Sequence, residues 1–423
     1  MAPLFGLHGF GLHGSVRCEG VRPGDRLASG PGTVRGAAVE ADDLRHVLES
    51  VREFLRAEVV PLEEQIEEQD AIPESVVAQC KAMGLYGFAI PEQYGGLGLD
   101  MVEEVQLAIE LGWTSPALRS LFGTNNGIAG HVLLEGGTEE QKKAWLPRLA
   151  SGEVTASFGL TEADAGSDPS SLRTAARRDG DGWVLDGAKR YITNSPVADV
   201  IMVFARSDPA ATGSRGISAF LVPRDTPGLS VGPKDKKMGQ HGAWTADVVL
   251  DGVRVPADAV IGGEEGVDQG FRIAAKCLAH GRLHIAALCV GIAARLVHET
   301  VEFAKTREQG GRPIARFQLI QGLVADSVTE YRAGRAMVLD AARSFDDGSD
   351  RIAGPSAAKY FCSEMVGRVA DRAVQVHGGA GYMRGVTVER LYRDVRLFRI
   401  YEGTSQIQQV IVARDALGPA ARD

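Results

Sequence analysis

Two changes of rhythm divide this 423-residue chain, and they limit its fold more than any single motif. From about Glu40 to Gly152 apolar residues recur at helical spacing. Leu44, Val47, Leu48, Val51, Phe54 and Leu55 form one stripe, which Pro61 interrupts. Residues 90–96, rich in Gly with one Pro, read as a turn, and Thr138-Glu-Glu-Gln reads as a capped helix start. Between Val154 and about Gly263 the pattern becomes short β-branched runs at 200–204, 217–222 and 246–250, separated by Pro, Gly and Asp. Trp183-Val-Leu and Tyr191-Ile-Thr read as strands joined by a hairpin turn at Asp186-Gly187. After Gly266 helical spacing returns in Ala-rich segments near 269–308, 315–347 and 355–384, whose lengths predict a four-helix bundle. The order implies an α+β protein with an N-terminal α domain (39–153), a middle antiparallel β domain (154–264) and a C-terminal α domain (265–423).

Residues 1–38 follow neither rhythm and are expected to form a disordered N-terminal extension. Within them Gly9-Phe-Gly-Leu-His-Gly14 matches the dinucleotide fingerprint letter for letter. Only eight residues precede it, too few for the strand that the fingerprint requires. The segment also lacks a signal peptide's apolar run, and it carries acids that transit peptides avoid. A net charge of −9 argues against a broad nucleic-acid surface. No apolar run approaches the roughly 20 residues of a membrane span, so no membrane partner is expected. Five scattered cysteines without Cys-x-x-Cys spacing indicate neither a disulfide framework nor a zinc site, and a reducing cytoplasm fits them best.

Several runs carry chemistry. In Arg399-Ile-Tyr-Glu-Gly-Thr-Ser-Gln406 a carboxylate, Glu402, precedes a hydroxyl pair. Read alone, this is a loop-to-helix junction in which Thr404 or Ser405 caps the helix. Gly159-Leu-Thr-Glu-Ala-Asp-Ala-Gly-Ser-Asp168 is a polar turn whose small residues admit a ligand closely, and whose hydroxyls and amides donate to a ring or phosphate. Tyr191-Ile192-Thr193 is an aromatic and a hydroxyl two residues apart on a predicted strand. In Thr306-Arg-Glu-Gln-Gly-Gly-Arg-Pro-Ile-Ala-Arg-Phe-Gln318, Arg307 offers paired donors suited to a pyrophosphate. Gln375-Val-His-Gly-Gly-Ala-Gly-Tyr382 ends a long helix, where Gly378-Gly379 could be a simple C-cap. His280 and His284, four residues apart, could hold a metal on one helix face. No third ligand is evident, so they read as a packed or solvated pair and no metal is expected.

Together these runs resemble the acyl-CoA dehydrogenase family, across roughly residues 40 to 418. The resemblance implies the same α–β–α architecture, an FAD cofactor and Glu402 as catalytic base. It places 158–167 along the flavin through Phe158, Leu160, Thr161, Gly166 and Ser167. Thr161 meets the pyrimidine edge, and Ser167 also touches acyl-CoA. Tyr191, Ile192 and Thr193 belong to the same flavin set, with Thr193 toward the flavin N5; relatives often have Trp in place of Tyr191. Arg307, Gln318, Gln375, Val376, His377, Gly378 and Gly379 are implied to reach the flavin of a neighbouring subunit, so a dimer or tetramer is expected. Thr404, Ser405 and Gln406 complete the implied cofactor contacts. Ala279, His280, Gly281, Arg282 and Gly403 are implied to touch the acyl-CoA. Some branches carry the base as a Glu immediately before the Arg of this stretch. Here that place is Gly281, so the resemblance assigns the role to Glu402. Two further departures are Gly310, where relatives have an aromatic, and Gly385, where they commonly have an acid, although Arg390 and Asp394 match.

The implied reaction takes an acyl-CoA thioester to its trans-2-enoyl-CoA. The base takes the α proton, the flavin takes the β hydride, and an electron-transfer flavoprotein accepts the electrons. An acyl-CoA oxidase or a related carbon-acid flavoenzyme is the alternative, and a flavin-containing DNA-binding homologue is a remote one that lacks the basic C-terminal surface it needs. The acyl pocket is expected between helices around 101–136 and 273–290.

Overall fold

The computed structural model describes residues 41–421; the predicted extension and its fingerprint match lie outside the described residues. Seven helices come first: α1 (Ala41–Phe54), α2 (Glu63–Gln69), α3 (Glu74–Ala82), α4 (Met101–Leu111), α5 (Pro116–Gly123), α6 (His131–Gly136) and α7 (Glu139–Ala150). The predicted stripe drives the first, with Val51, Phe54 and Leu55 buried. The predicted cap at Thr138 is a full capping box, in which Thr138 Oγ1 accepts from Gln141 N while Gln141 Oε1 accepts from Thr138 N. Between α5 and α6 the chain makes a π-helical turn, Asn125–Gly130, entirely buried.

Seven strands follow: β1 (Ala156–Gly159), β2 (Ala175–Asp179), β3 (Gly182–Thr193), β4 (Val200–Arg206), β5 (Ile217–Pro223), β6 (Leu229–Val231) and β7 (Thr245–Pro256). The sheet runs β1-β4-β2-β3-β7-β6, with β5 paired to β4. It is mainly antiparallel, but β1 joins β4 in parallel (Ala156 opposite Val200), which their long connection permits. The hairpin expected at Asp186-Gly187 does not form. β3 runs straight through it, and the dipeptide is a β-bulge where the register against β7 shifts. Gly187 is required there because a Cβ would meet Thr174 Oγ1 at 2.6 Å. The turn that joins β2 to β3 lies instead at Gly180, which has φ 62°.

The last part holds α8 (Gly270–Thr306), a small hairpin of β8 (Glu308–Gln309) and β9 (Arg312–Pro313), α9 (Gln318–Asp347), α10 (Ala353–His377), α11 (Thr387–Val395) and α12 (Ser405–Leu417). Helices α8, α9 and α10 pack on one another, and α12 packs on α10. By length and composition α8 could cross a bilayer, contrary to the expectation that no run comes close. Yet 83% of its apolar window is buried inside the protein. Its Leu283, Leu288 and Val290 share one core with Val105 and Leu107 of α4 and Met365 and Val366 of α10. Where α8 meets the end of α4 a glycine admits the backbone: a Cβ at Gly291 would lie 2.1 Å from Ile109 O and 2.7 Å from Gly112 Cα. N-terminal and C-terminal helices therefore pack as one body, with α8 running through it.

Gly310 is explained by the β8–β9 hairpin. It and Gly311 form a two-residue turn with φ 59° and 75°, which an aromatic at 310 would strain. Gly385 likewise has φ 85°. Arg390 and Asp394 are buried, Arg390 donating to Glu63 Oε2 at 2.6 Å and Asp394 accepting from the backbone N–H of Gln240.

Candidate active site

A cavity of about 230 Å³ opens where all three parts of the chain meet. Arg119, Ser120, Thr124 and Ile128 line it from the N-terminal helices, and Leu278, Arg282, Tyr401, Glu402 and Gly403 from the C-terminal ones. Arg119 to Ile128, and Leu278 with Arg282, fall in the two helical regions expected to shape an acyl pocket, while Tyr401, Glu402 and Gly403 lie outside both. The sheet contributes Phe158, Leu160, Thr161, Gly166, Ser167, Tyr191, Ile192 and Thr193.

The loop after β1 is held by one carboxylate. Glu162 accepts from Lys189 Nζ at 2.6 Å, from Thr174 Oγ1 at 2.6 Å, and from the backbone N–H groups of Thr174 and Arg173 at 2.9 and 2.7 Å. Burial would raise its pKa, but Lys189 and these donors hold it below the usual carboxylate range. Lys189 is fully buried, and burial brings its ammonium down to about 8 against the pull of Glu162. Tyr191 does not lie in a regular strand. It sits at a second register shift of β3 with φ 59°, 60% exposed, its N–H donating to Asp247 Oδ1. This bulge turns the aromatic toward the cavity mouth.

Glu402 also has a left-handed backbone, φ 55°, followed by Gly403 at φ 87°. Two side chains fix that turn. Lys359 Nζ donates to Gly403 O at 2.7 Å, and Gln408 Nε2 lies 3.0 Å from both Glu402 O and Gly403 O. Thr404 caps α12 by accepting from Ile407 N, so the structural role read for this run is real. The Glu402 carboxylate, however, lies against α8. A Cβ on Gly281 would stand 2.3 Å from its Oε2, an oxygen that is buried and has no hydrogen-bond partner among the described residues. Burial raises the Glu402 pKa, while Arg119, Lys359 and Arg282 pull it back.

Over residues 41–153, 157–253 and 268–417 the sequence matches, in turn, the N-terminal, middle and C-terminal domains of acyl-CoA dehydrogenase. The chain belongs to the acyl-CoA dehydrogenase family. An acyl-CoA dehydrogenase of Bacillus subtilis is 40% identical over 368 residues, covering 87% of this chain and 96% of that protein. The caffeyl-CoA reductase-Etf complex subunit CarC of Acetobacterium woodii is 36% identical, covering 86% and 95%. The structure of butyryl-CoA dehydrogenase from Megasphaera elsdenii superposes with a TM-score of 0.85 at 31% identity, covering 90% of this chain and 99% of that one.

Acyl-CoA dehydrogenases are FAD flavoproteins, and the sheet side of the cavity suits that group. The hydroxyls of Thr161, Ser167 and Thr193 reach it without a partner among the described residues, Gly166 has open space where a Cβ would point, and Phe158, Leu160 and Ile192 supply apolar surface. A flat ring with a hydrogen-bonding edge meets its requirements on such a wall.

Other residues of the family motifs lie elsewhere in this chain. Arg307, Gln318, Gln375, Gly378 and Gly379 are exposed, away from the cavity that Glu402 lines. They surround a small apolar cluster of Ile314, Ala304 and Val376, where Phe303 stacks on His377 at 4.1 Å between centroids. Three expectations need correction. Ser405 is 2% exposed and donates to Glu364 Oε1 at 2.6 Å, so its hydroxyl is committed inside the protein. Gln406 is exposed on α12 and does not line the cavity. Ala279 and His280 are buried beneath the cavity rather than lining it.

His280 instead joins a polar core. Its Nδ1 lies 3.1 Å from Gly127 O, a group that only accepts, so Nδ1 carries the proton. Its Nε2 lies 3.1 Å from Glu104 Oε1, and His284 Nε2 lies 2.6 Å from Glu104 Oε2. Burial lowers both imidazoles to about 4 and raises Glu104, so burial favours the neutral form of all three groups, while His284 and Arg119 pull Glu104 back. The i, i+4 histidines thus share a buried carboxyl group. Residues that no motif singled out include Arg119, Lys359 and Gln408. For Arg119 the signal was an isolated cation in the apolar run Leu118-Arg-Ser-Leu-Phe122.

Proposed function

We propose that this protein is an FAD-dependent acyl-CoA dehydrogenase in which Glu402 removes the α proton of a thioester bound in the cavity, yielding the trans-2-enoyl-CoA. The observation that carries the reading is the Glu402 carboxylate, with a buried, unpartnered oxygen, seated on Gly281 and facing the wall formed by Thr161, Ser167 and Thr193. An α carbon is a poor acid, so the base must be strengthened and the enolate stabilised. Burial does the first by raising the Glu402 pKa. For the second, the Glu402 N–H has no backbone partner among the described residues and is free to meet the enolate oxygen, a donor worth roughly 3 kcal/mol. FAD, when bound, supplies the acceptor for the β hydride.

The exposed set Arg307, Gln318, Gln375, Gly378 and Gly379 supports a homo-oligomer, in which it would complete the cofactor site of a second copy, whereas the side chains of Val376 and His377, expected in the same set, are buried within this chain. An electron-transfer flavoprotein is the proposed electron acceptor, supported by the kinship with an Etf-complex subunit. The cytoplasm is the proposed location. In the Glu402→Gln enzyme FAD should stay bound while its bleaching by acyl-CoA slows by 10²- to 10⁴-fold, about what general-base catalysis supplies. Undiminished bleaching would overturn the assignment. Oxygen uptake without a carrier would instead mark an oxidase.

A further inference from the structure

Arg119 has no partner. The residue is 3% exposed, its Nε and Nη2 make no hydrogen bond, and no ion pair reaches it among the described residues. The other buried arginines are engaged: Arg390 by Glu63 at 2.6 Å, Arg295 by Glu299 at 2.6 Å, and Arg282 by Ser356 at 3.3 Å. Glu104 lies near enough to feel the charge of Arg119, but its hydrogen bonds go to two histidines and none to the guanidinium.

The seat of the guanidinium is built for it. A Cβ on Gly123, four residues along, would stand 2.5 Å from Arg119 Nε, and one on Gly127, four further, 3.8 Å from Nη2. Arg119 also lines the cavity of Glu402, where Arg119 and Arg282 both act on that one acid; Lys237, on the same wall, donates to Ala243 O and has Asp70, Asp235 and Asp394 as its acids. An unpaired charge so deeply buried is strongly unfavourable, and Glu402 alone does not balance the two guanidinium groups. Among the described residues that line the cavity there is no second acid.

We propose that the acyl group entering this cavity ends in a carboxylate that Arg119 receives, so that the substrates are CoA monothioesters of short dicarboxylic acids. A carboxylate on an apolar tether can pass Ile128 and Leu278, whereas a hydrated diphosphate cannot reach a group so little exposed. The planar fork of Arg suits a carboxylate through two parallel donors, and Nε and Nη2 are the free pair. This rests on Glu402 being the base and adds the substrate class.

The test uses the FAD-loaded enzyme and two length-matched pairs, glutaryl-CoA with pentanoyl-CoA and adipyl-CoA with hexanoyl-CoA, read by flavin bleaching. The carboxylated member should be favoured in kcat/KM by on the order of 100-fold in at least one pair. Arg119→Met should erase or invert that preference and Arg119→Lys should keep its sign. Gly123→Ala, which crowds the guanidinium, gives a second route to the same loss if Arg119→Met folds poorly. Neutral thioesters that match or beat the acids in the unmodified enzyme, or an Arg119→Met enzyme that slows both by one factor, would overturn the substrate class while leaving Glu402 as base. If none of these four thioesters bleaches the flavin, the substrate class falls, and Glu402 as base is then judged by whether Glu402→Gln abolishes bleaching by whichever other acyl-CoA a wider panel finds active.

Discussion

Gly281 and Glu402 occupy one another's space: a single carbon added to Gly281 would lie 2.3 Å from Glu402 Oε2. Relatives that carry the base on this helix place a Glu where Gly281 stands. The contact shows why one protein has room for only one of the two layouts. A side chain at 281 would evict the carboxylate of 402, and a carboxylate at 402 demands that 281 be bare.

Gly281→Ala should therefore misplace the base without unfolding α8, since Ala is the better helix former. The expected outcome is a loss of roughly 100-fold in bleaching rate with a normal bound-flavin spectrum, the cost of about 1 Å of misplacement. Moving the carboxylate, as Gly281→Glu with Glu402→Gly, should recover part of the rate lost in Glu402→Gln. Stopped-flow absorbance measures both.

Activity should rise with pH as Glu402 loses its proton, because only the carboxylate can act as base. Burial places that limb above the ordinary carboxylate range. Lys359 favours the charged form, so Lys359→Met should move the limb to higher pH. A pH series of single-turnover bleaching would show the displacement, and an unmoved limb would exclude the coupling.

The left-handed turn at Glu402 depends on Gln408, whose amide spans two carbonyls. Gln408→Leu removes both donations and should cost about 1–3 kcal/mol, as expected for buried acceptors left unmet. A lowered urea midpoint, together with a fall in kcat exceeding any change in FAD affinity, is the expected pair of results.

Stability should decline below neutral pH. His280 and His284 are held at about 4 and His131 at about 3, all by burial, against 6.5 for the unfolded chain. From 6.5 downward the unfolded chain thus binds protons that the folded protein refuses. The histidine contribution is complete above 6.5 and is lost as pH falls toward 4. Asp394, at about 6, and Glu103, Glu104, Asp346 and Glu402, all raised by burial, work in the opposite sense and offset part of the histidine contribution. The urea midpoint should fall between pH 7 and 5, and by less in His284→Gln.

Much of this was legible in the sequence because it depends on local order. The stripe of α1, the Thr138 capping box and the α–β–α succession each follow from spacing along the chain. Asp186-Gly187 misled because the dipeptide that makes a tight turn also fits a bulge, and only the pairing of β3 with β7 decides between them. The His280–His284 pair could be read as packed, but its shared partner Glu104 lies 176 residues from one and 180 from the other. Arg119 escaped because a buried cation without a partner is defined by what surrounds it, and no local pattern encodes that. The resemblance assigned the Arg307 and Gln375 runs to the flavin of a neighbouring subunit, and in one chain Arg307, Gln318, Gln375, Gly378 and Gly379 are exposed away from the cavity.

The four donations that meet at Glu162 have a consequence for how a cofactor would arrive. They tie the loop after β1 to β2 and β3 using protein atoms alone, so the docking wall is rigid before anything binds to it. Little ordering entropy then remains to be lost on association. Loosening that knot, as in Glu162→Gln, should appear as faster release of the flavin from an enzyme that, while loaded, turns over at nearly its normal rate.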